Sequence, residues 1–520
     1  MSAQCDFELL QQWLSNCCTN HSCSTGSPPE RLPARFIKIN NEGVVPELQL
    51  VSSRDVSSRY AALSYCWGGN FTGIKTTKAT LEQHHAYIEL SRLPKTIRDA
   101  TQITRALGIE YLWVDSLCIV QDDQEDWATE SKRMAALYQS AVVTLVATAA
   151  KDANQGCLFP RKVTRDSVDV QLSVDVARDT SKVTFTNHTG SIANDFLESP
   201  WNKRAWCLQE YVLSPRMLHF FENRIVWQCR GTLSAEDFVE LRRSAGAGAG
   251  ADFRVQHILT TPSSYFSLRP PADLETWFRL VEEYSTRSLT QPGDKLVALA
   301  ALATYLRPHL GSEYVSGLWL KYLDRSLLWL SKDSRMQTGT HRRAPSWSWA
   351  ALDGPVAHLH RLQSSLPSLE STICIREGPG GGAGGEAVET SPLQPLFLTS
   401  SLREITRSNS LIKNSDIDKV ASAHVKEALR ASRSFQAHYL YDADDRVCGW
   451  AIFDQEDLRT EELFCLHTAR MTYKGAFQSY FVLVVMRSRL LKDGFERVGV
   501  GEVCREDFFN AAQKIDVNLI

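Results

Sequence analysis

Residues 60–148 constrain the fold more than any other part of the chain. Three short apolar runs, at 61–67, 111–114 and 141–148, alternate with two stretches of helical spacing. In the first stretch, 93–107, Ile97, Ala100, Ile103 and Leu107 share one face, and Gly108 follows as a helix-ending glycine. The second opens at Asp122 with Glu125 three residues on, in the manner of a capping box, and carries Trp127, Met134 and Tyr138. Strand, helix, strand, helix, strand is the order of an α/β domain with a parallel sheet. Ligands in such sheets bind beyond the carboxyl ends of the strands. The polar residues expected there are Ser64, Asp115 and Thr148, with the turn Gly68-Gly69 close behind the first.

The rest of the chain gives fewer signals. A chain of 520 residues suggests two to four domains, and 43% hydrophobic against 22% charged residues suits a sizeable core. A net charge of -3 with no basic stripe argues against nucleic acid as a partner. The N-terminus does not read as a secretory signal, and the most apolar run, 480–486, is too short to span a bilayer. A cytoplasmic location without membrane attachment is the expectation. Thirteen cysteines, an odd number thinly spread, argue against a disulfide framework. Cys17, Cys18, His21 and Cys23 cluster, but no distant second ligand pair is evident, so they read as thiols and no metal is expected.

The expected divisions are a lead-in helix and strands over 1–55, the α/β domain over 56–232, a helical region closing on it over 252–355, and a variable α+β region over 356–520. A glycine–alanine linker, 244–251, separates the second and third, and a glycine-rich loop, 378–385, interrupts the last. A helix is expected from Ser199-Pro200 and a hairpin over 216–228. Trp277, Leu280, Val281 and Tyr284 mark the core face of another helix, and His84-His85 read as solvated loop residues.

Several segments resemble the heterokaryon-incompatibility (HET) domain family of fungal proteins. They are Tyr60-Ala-Ala-Leu-Ser-Tyr-Cys-Trp-Gly68, Leu-Pro-Lys-Thr-Ile-Arg-Asp-Ala at 93–100, the run 111–121, the helix with Met134 and Tyr138, and the run 204–216 around Trp-Cys-Leu-Gln-Glu. Pro-Ser-Trp-Ser-Trp-Ala-Ala at 345–351 is similar to the segment that follows such domains, and Trp13, Cys17, His21 and Cys23 to the usual lead-in. HET domains are in turn similar to TIR domains. The resemblance implies a TIR/flavodoxin-like parallel sheet flanked by helices and a role in fungal non-self recognition and programmed cell death. It also implies either NAD glycohydrolase activity or a non-catalytic signalling module. Self-association, or a protein partner from an incompatibility or NLR-like system, is implied with it.

By that resemblance Glu210 occupies the catalytic position, with NAD as substrate rather than cofactor. Cleaving the nicotinamide–ribose bond passes through an oxocarbenium-like state, which one carboxylate can stabilise. On its helix Glu210 lies opposite the stripe Trp201, Ala205, Leu208 and Val212, between Trp206 and Leu213, and so is expected to face a groove or second domain, where burial would raise its pKa. The alternative is a carboxylate paired with Arg204 or Arg216. Tyr65 or Trp206 could stack on a ring of the substrate, Ser64 and the Gly68-Gly69 turn could bring backbone N–H groups to its phosphates, and Trp67 is expected among the substrate-binding residues. Asp115 could touch a ribose, or cap a turn. For Trp67 and Trp206 simple core packing stays open, as does a Cys207–His219 nucleophile pair.

Overall fold

The computed structural model describes residues 2–3, 5–21, 23, 32–40, 46–55, 59–69, 71, 73–162, 167–173, 180–186, 192–236, 240–242, 273–332, 343–359, 368–376, 395–413, 415–422, 425–426, 429, 435–454 and 462–520. The chain forms two compact units, 1–269 and 270–520. Both glycine-rich stretches, 244–251 and 378–385, lie outside the described residues.

The first unit begins with α1 (Phe7–Asn20), capped by the Asp6 carboxylate on Leu9 N–H. Its sheet contains β1 (Arg35–Asn40), β2 (Glu47–Ser52), β3 (Tyr60–Ser64), β4 (Tyr111–Trp113), β5 (Val143–Val146), β6 (Arg216–Phe220), β7 (Ile225–Cys229), β8 (Thr232–Ala235) and β9 (Glu240–Arg242), in the order β9-β8-β7-β6-β5-β3-β4-β1-β2. The pairs β4–β3, β3–β5 and β5–β6 are parallel. The pairs outside them are antiparallel. A four-stranded parallel centre therefore carries antiparallel wings. Its strands are buried throughout, which is why they read as unbroken apolar runs rather than alternating ones.

The helices are α2 (Leu81–Ala86), α3 (Lys95–Ala106), α4 (Asp115–Cys118), α5 (Gln124–Ser140), α6 (Ile192–Glu198) and α7 (Ala205–Leu213). Gly108 follows α3 at φ +69°, a left-handed position that favours glycine. The cap of α5 is Asp123, whose side chain accepts from Glu125 and Asp126 N–H; Asp122 instead accepts from Lys78 N–H. His84 is not solvated: it lies buried on α2 against the Thr76 hydroxyl at 2.8 Å.

Chain order across the parallel strands is second, first, third, fourth. The crossover from β3 to β4 through α3 runs one way, and that from β4 to β5 through α5 runs the other. Right-handed crossovers then place α3 and α5 on opposite faces. In agreement, α3 packs beside α1, and α5 beside α7. Where the order reverses, between β3 and β5, the sheet leaves a crevice at its carboxyl edge.

In the second unit, α8 (Leu274–Ser285) buries Trp277, Leu280, Val281 and Tyr284 as its spacing predicts, and α9 (Val297–Leu310) follows. Residues 270–355 form one unit with the C-terminal sheet. That C-terminal part is built mainly of strands, where a mixture of helices and strands was expected. Strands β10 (Leu396–Leu411), β11 (Ala437–Tyr441), β12 (Val447–Phe453), β13 (Leu463–Tyr473), β14 (Ala476–Arg487) and β15 (Gly494–Val503) pair in a ring that returns to β10. Closure removes exposed edges. In this sheet the buried Glu502 accepts from Trp450 Nε1 (3.0 Å), Ser479 Oγ (2.5 Å) and Ser422 N–H (3.0 Å). No helix among the described residues is long and apolar enough to cross a membrane.

Candidate active site

Ser64 ends β3 at the crevice. Side chains alternate along a strand, so Ser64 shares a face with Tyr60, whose hydroxyl donates to Leu137 O of α5 at 2.7 Å. Because α7 packs beside α5 on this face, it brings Glu210 to the strand end. The Ser64 hydroxyl donates to Glu210 Oε2 and accepts from the indole N–H of Trp201. All three are buried, Glu210 at 7% exposure and Ser64 at 1%.

This corrects the helical reading of 199–213. Residues 199–204 form a turn, the helix starts at Ala205, and Trp201 lies before it. Glu210 points into the domain and not toward an outer groove. α7 is buried nearly all round, so no single apolar stripe on it could have indicated which side meets the sheet.

Burial pushes the Glu210 carboxyl up to about 7; the Ser64 hydroxyl, the Arg204 guanidinium and the Tyr138 hydroxyl oppose that, and Asp115 adds to it. Asp115 opens α4, directly beyond β4. Its carboxylate accepts from Trp67 Nε1 (2.8 Å) and from Ser116 N–H (2.7 Å). Burial raises it too, with Arg204 the main counterweight. Arg204, which also donates to the Tyr65 carbonyl, is thus one cation shared between two enclosed carboxyl groups. Its positive charge favours the ionised form of both, against the burial that disfavours it.

The other expected site residues differ in exposure. Trp67 is half-buried, tilted against Phe71 at 4.9 Å, with the Lys75 ammonium 5.0 Å above its ring. Trp206 is half-buried and Gly68 exposed. Gly68 adopts φ +88°, and a Cβ there would meet Asp152 Cβ at 2.6 Å, so the turn requires glycine twice over. Tyr65 is 3% exposed and donates to Ser116 Oγ at 2.9 Å; it braces the wall and has no free face on which a ring could stack.

Cys207 and His219 do not form a nucleophile pair. The His219 ring nitrogens face Thr148 Oγ1 (3.3 Å) and Gln228 Oε1 (3.0 Å), and burial pushes the ring down to about 4, so it is neutral. The ring packs edge-on to Trp201 at 5.8 Å, and Gln228 donates to the Tyr211 hydroxyl at 3.0 Å. This network braces Trp201 from behind. Sequence spacing gave no sign of it, nor of the Trp201 N–H on Ser64. Beside it, Gln209 is fully buried with neither end of its amide hydrogen-bonded among the described residues.

At the opposite end of the sheet the fold supplies what the N-terminal cysteines lacked in the sequence. Cys229, at the end of β7, meets Cys17, His21 and Cys23, while Cys18 is exposed and outside the group.

The family model described as "Heterokaryon incompatibility protein (HET)" matches residues 60–210, which run from β3 to the candidate carboxylate. A relative, heterokaryon incompatibility protein 6, OR allele, of Neurospora crassa, is 26% identical over 185 residues, covering 30% of this chain and 27% of that protein. This chain thus shares about a quarter of the length of that relative. No solved structure matches. Residues 60–210 thus match the heterokaryon-incompatibility (HET) domain family, and the chain is similar to a fungal protein of that name.

Proposed function

We propose that this protein acts in the cytoplasm in fungal non-self recognition, and that its HET domain cleaves the nicotinamide–ribose bond of NAD. The supporting observation is Glu210: a carboxyl group enclosed at the switch point of the sheet, fixed by Ser64 and poised to titrate near neutral pH. Ionised, it would stand beside the ribose and stabilise the positive charge that grows there as the C–N bond breaks. Nicotinamide leaves neutral with the bonding pair, water adds to the ribose carbon and releases a proton, and ADP-ribose remains. The leaving group needs no acid, so one carboxylate suffices. Asp115 and Arg204 would tune its charge state, and Trp67, Gly68 and Trp206 would form the rim over which the substrate enters. Glu210 is nearly sealed, so the reading requires that rim to move. Self-association, or a partner from an incompatibility or NLR-like system, would supply the trigger.

The same enclosure favours a second reading, in which Ser64 and Glu210 are structural and the domain signals cell death through partners. Inducible expression in a fungal host separates the two. The enzyme reading expects cellular NAD to fall before growth stops, with Glu210→Gln doing neither. The signalling reading expects growth arrest at constant NAD, undiminished in Glu210→Gln.

A further inference from the structure

Four side chains with metal-ligating chemistry converge away from the candidate active site. Cys17 lies in the last turn of α1 and His21 caps it four residues later, so both project from one face. Cys23 follows at once, and Cys229 arrives from a sheet strand 206 residues further along. The three sulfurs and one imidazole nitrogen all lie within 4.8 Å of one another, and Cys229 Sγ is 3.4 Å from His21 Nδ1. Tetrahedral zinc with bonds of about 2.3 Å to sulfur holds its ligand atoms about 3.8 Å apart, a contraction that small side-chain movements supply. Cys17, Cys23 and Cys229 are buried free thiols, and His21 is partly buried.

The surroundings suit thiolates. Cys229 Sγ accepts from Gly231 N–H (3.4 Å) and Thr232 N–H (3.3 Å), in the turn that joins β7 to β8. Arg216, 6% exposed, directs its Nε to Cys17 Sγ at 3.3 Å and forms no ion pair with a carboxylate among the described residues. Zinc with three thiolates and a neutral imidazole carries one net negative charge, which the buried guanidinium balances. Beside three neutral thiols the same guanidinium would be uncompensated.

We propose that Cys17, His21, Cys23 and Cys229 bind one zinc ion in a structural site that ties α1 to the β7–β8 turn. All four positions are filled by protein, leaving none for a reacting water. Thiolate with imidazole selects zinc over the hard cations. β7 also carries Gln228, so the site anchors the hairpin whose His219 backs the candidate active site.

The full chain, expressed in zinc-supplemented medium and desalted, tests this by elemental analysis. One zinc per chain is expected in the wild type and in the control Cys18→Ser, with loss in Cys229→Ser and Cys23→Ser. Should those variants fail to fold, cobalt exchanged into the wild type decides: intense tetrahedral d–d bands with a thiolate-to-cobalt charge-transfer band are expected. A folded wild-type chain that carries no zinc and binds neither zinc nor cobalt overturns the proposal. So does a disulfide between any two of the three cysteines, or zinc fully retained by Cys229→Ser.

Discussion

Glu210→Gln should make this protein more stable above neutral pH. In water the carboxyl ionises near 4.5; in the fold it does so at about 7. Below 4.5 both states hold the proton and burial carries no charge penalty. Between the two values the unfolded chain releases it and the folded chain does not, so stability falls as pH rises. Above 7 both are ionised and the full penalty applies. At about 1.36 kcal/mol per decade, the gap corresponds to ~3 kcal/mol. Gln resembles the protonated carboxyl in shape, can still accept from Ser64, and has no charge to bury. Its advantage is therefore near zero at low pH and approaches ~3 kcal/mol above 7, a rise in melting temperature of roughly 6–12 °C for a domain of this size. The assay is thermal unfolding of both proteins across that pH range. Melting temperatures that differ by the same amount at every pH, or a variant less stable than wild type above neutrality, would refute the reasoning.

Other substitutions give sharper local outcomes. Ser64→Ala leaves the fully buried Trp201 N–H without its acceptor and should cost ~1–3 kcal/mol in chemical denaturation; unchanged stability would remove Ser64 from the bracing network. Gly68→Ala meets both a positive φ and the Asp152 contact, and should cost ~1–3 kcal/mol, read by the same denaturation assay. Gln209→Met replaces a buried amide that has no hydrogen-bond partner among the described residues with an apolar chain of like size and should gain about 1 kcal/mol in the same denaturation assay; a loss of stability would show that the amide is satisfied. In the second unit, Glu502→Leu orphans three donors and should lower stability by ~3–5 kcal/mol, whereas Glu502→Gln retains acceptor capacity and should cost less.

Much of this arrangement was legible in the sequence. The parallel centre followed from three apolar runs, because strands buried on both faces lose their alternation. Ser64 and Asp115 followed from where those runs stop. Glu210 came from the Trp-Cys-Leu-Gln-Glu segment and not from helical spacing, which misplaced it: α7 is buried on every side, so its periodicity carries no direction. The antiparallel wings differ for another reason. Strands β1 and β2 were readable, but which edge they join depends on pairings that local pattern does not encode. The group of Cys17, His21, Cys23 and Cys229 was hidden by distance, since Cys229 is one cysteine among thirteen until β7 is placed beside α1. The closed strand ring of the second unit was hidden by its long, partly polar strands, which mix with turn residues and read as a blend of elements.

The enzyme reading is tested most directly by incubating purified full-length protein with NAD over a range of protein concentrations and measuring nicotinamide and ADP-ribose. Wild type is expected to release both in equal amounts, more per molecule as concentration favours self-association, while Glu210→Gln, folded and more stable above neutral pH, releases neither. Equal turnover by the two proteins would exclude Glu210 as the catalytic carboxylate. No turnover by folded wild type at any concentration would contradict the enzyme reading and leave the HET domain as a signalling module.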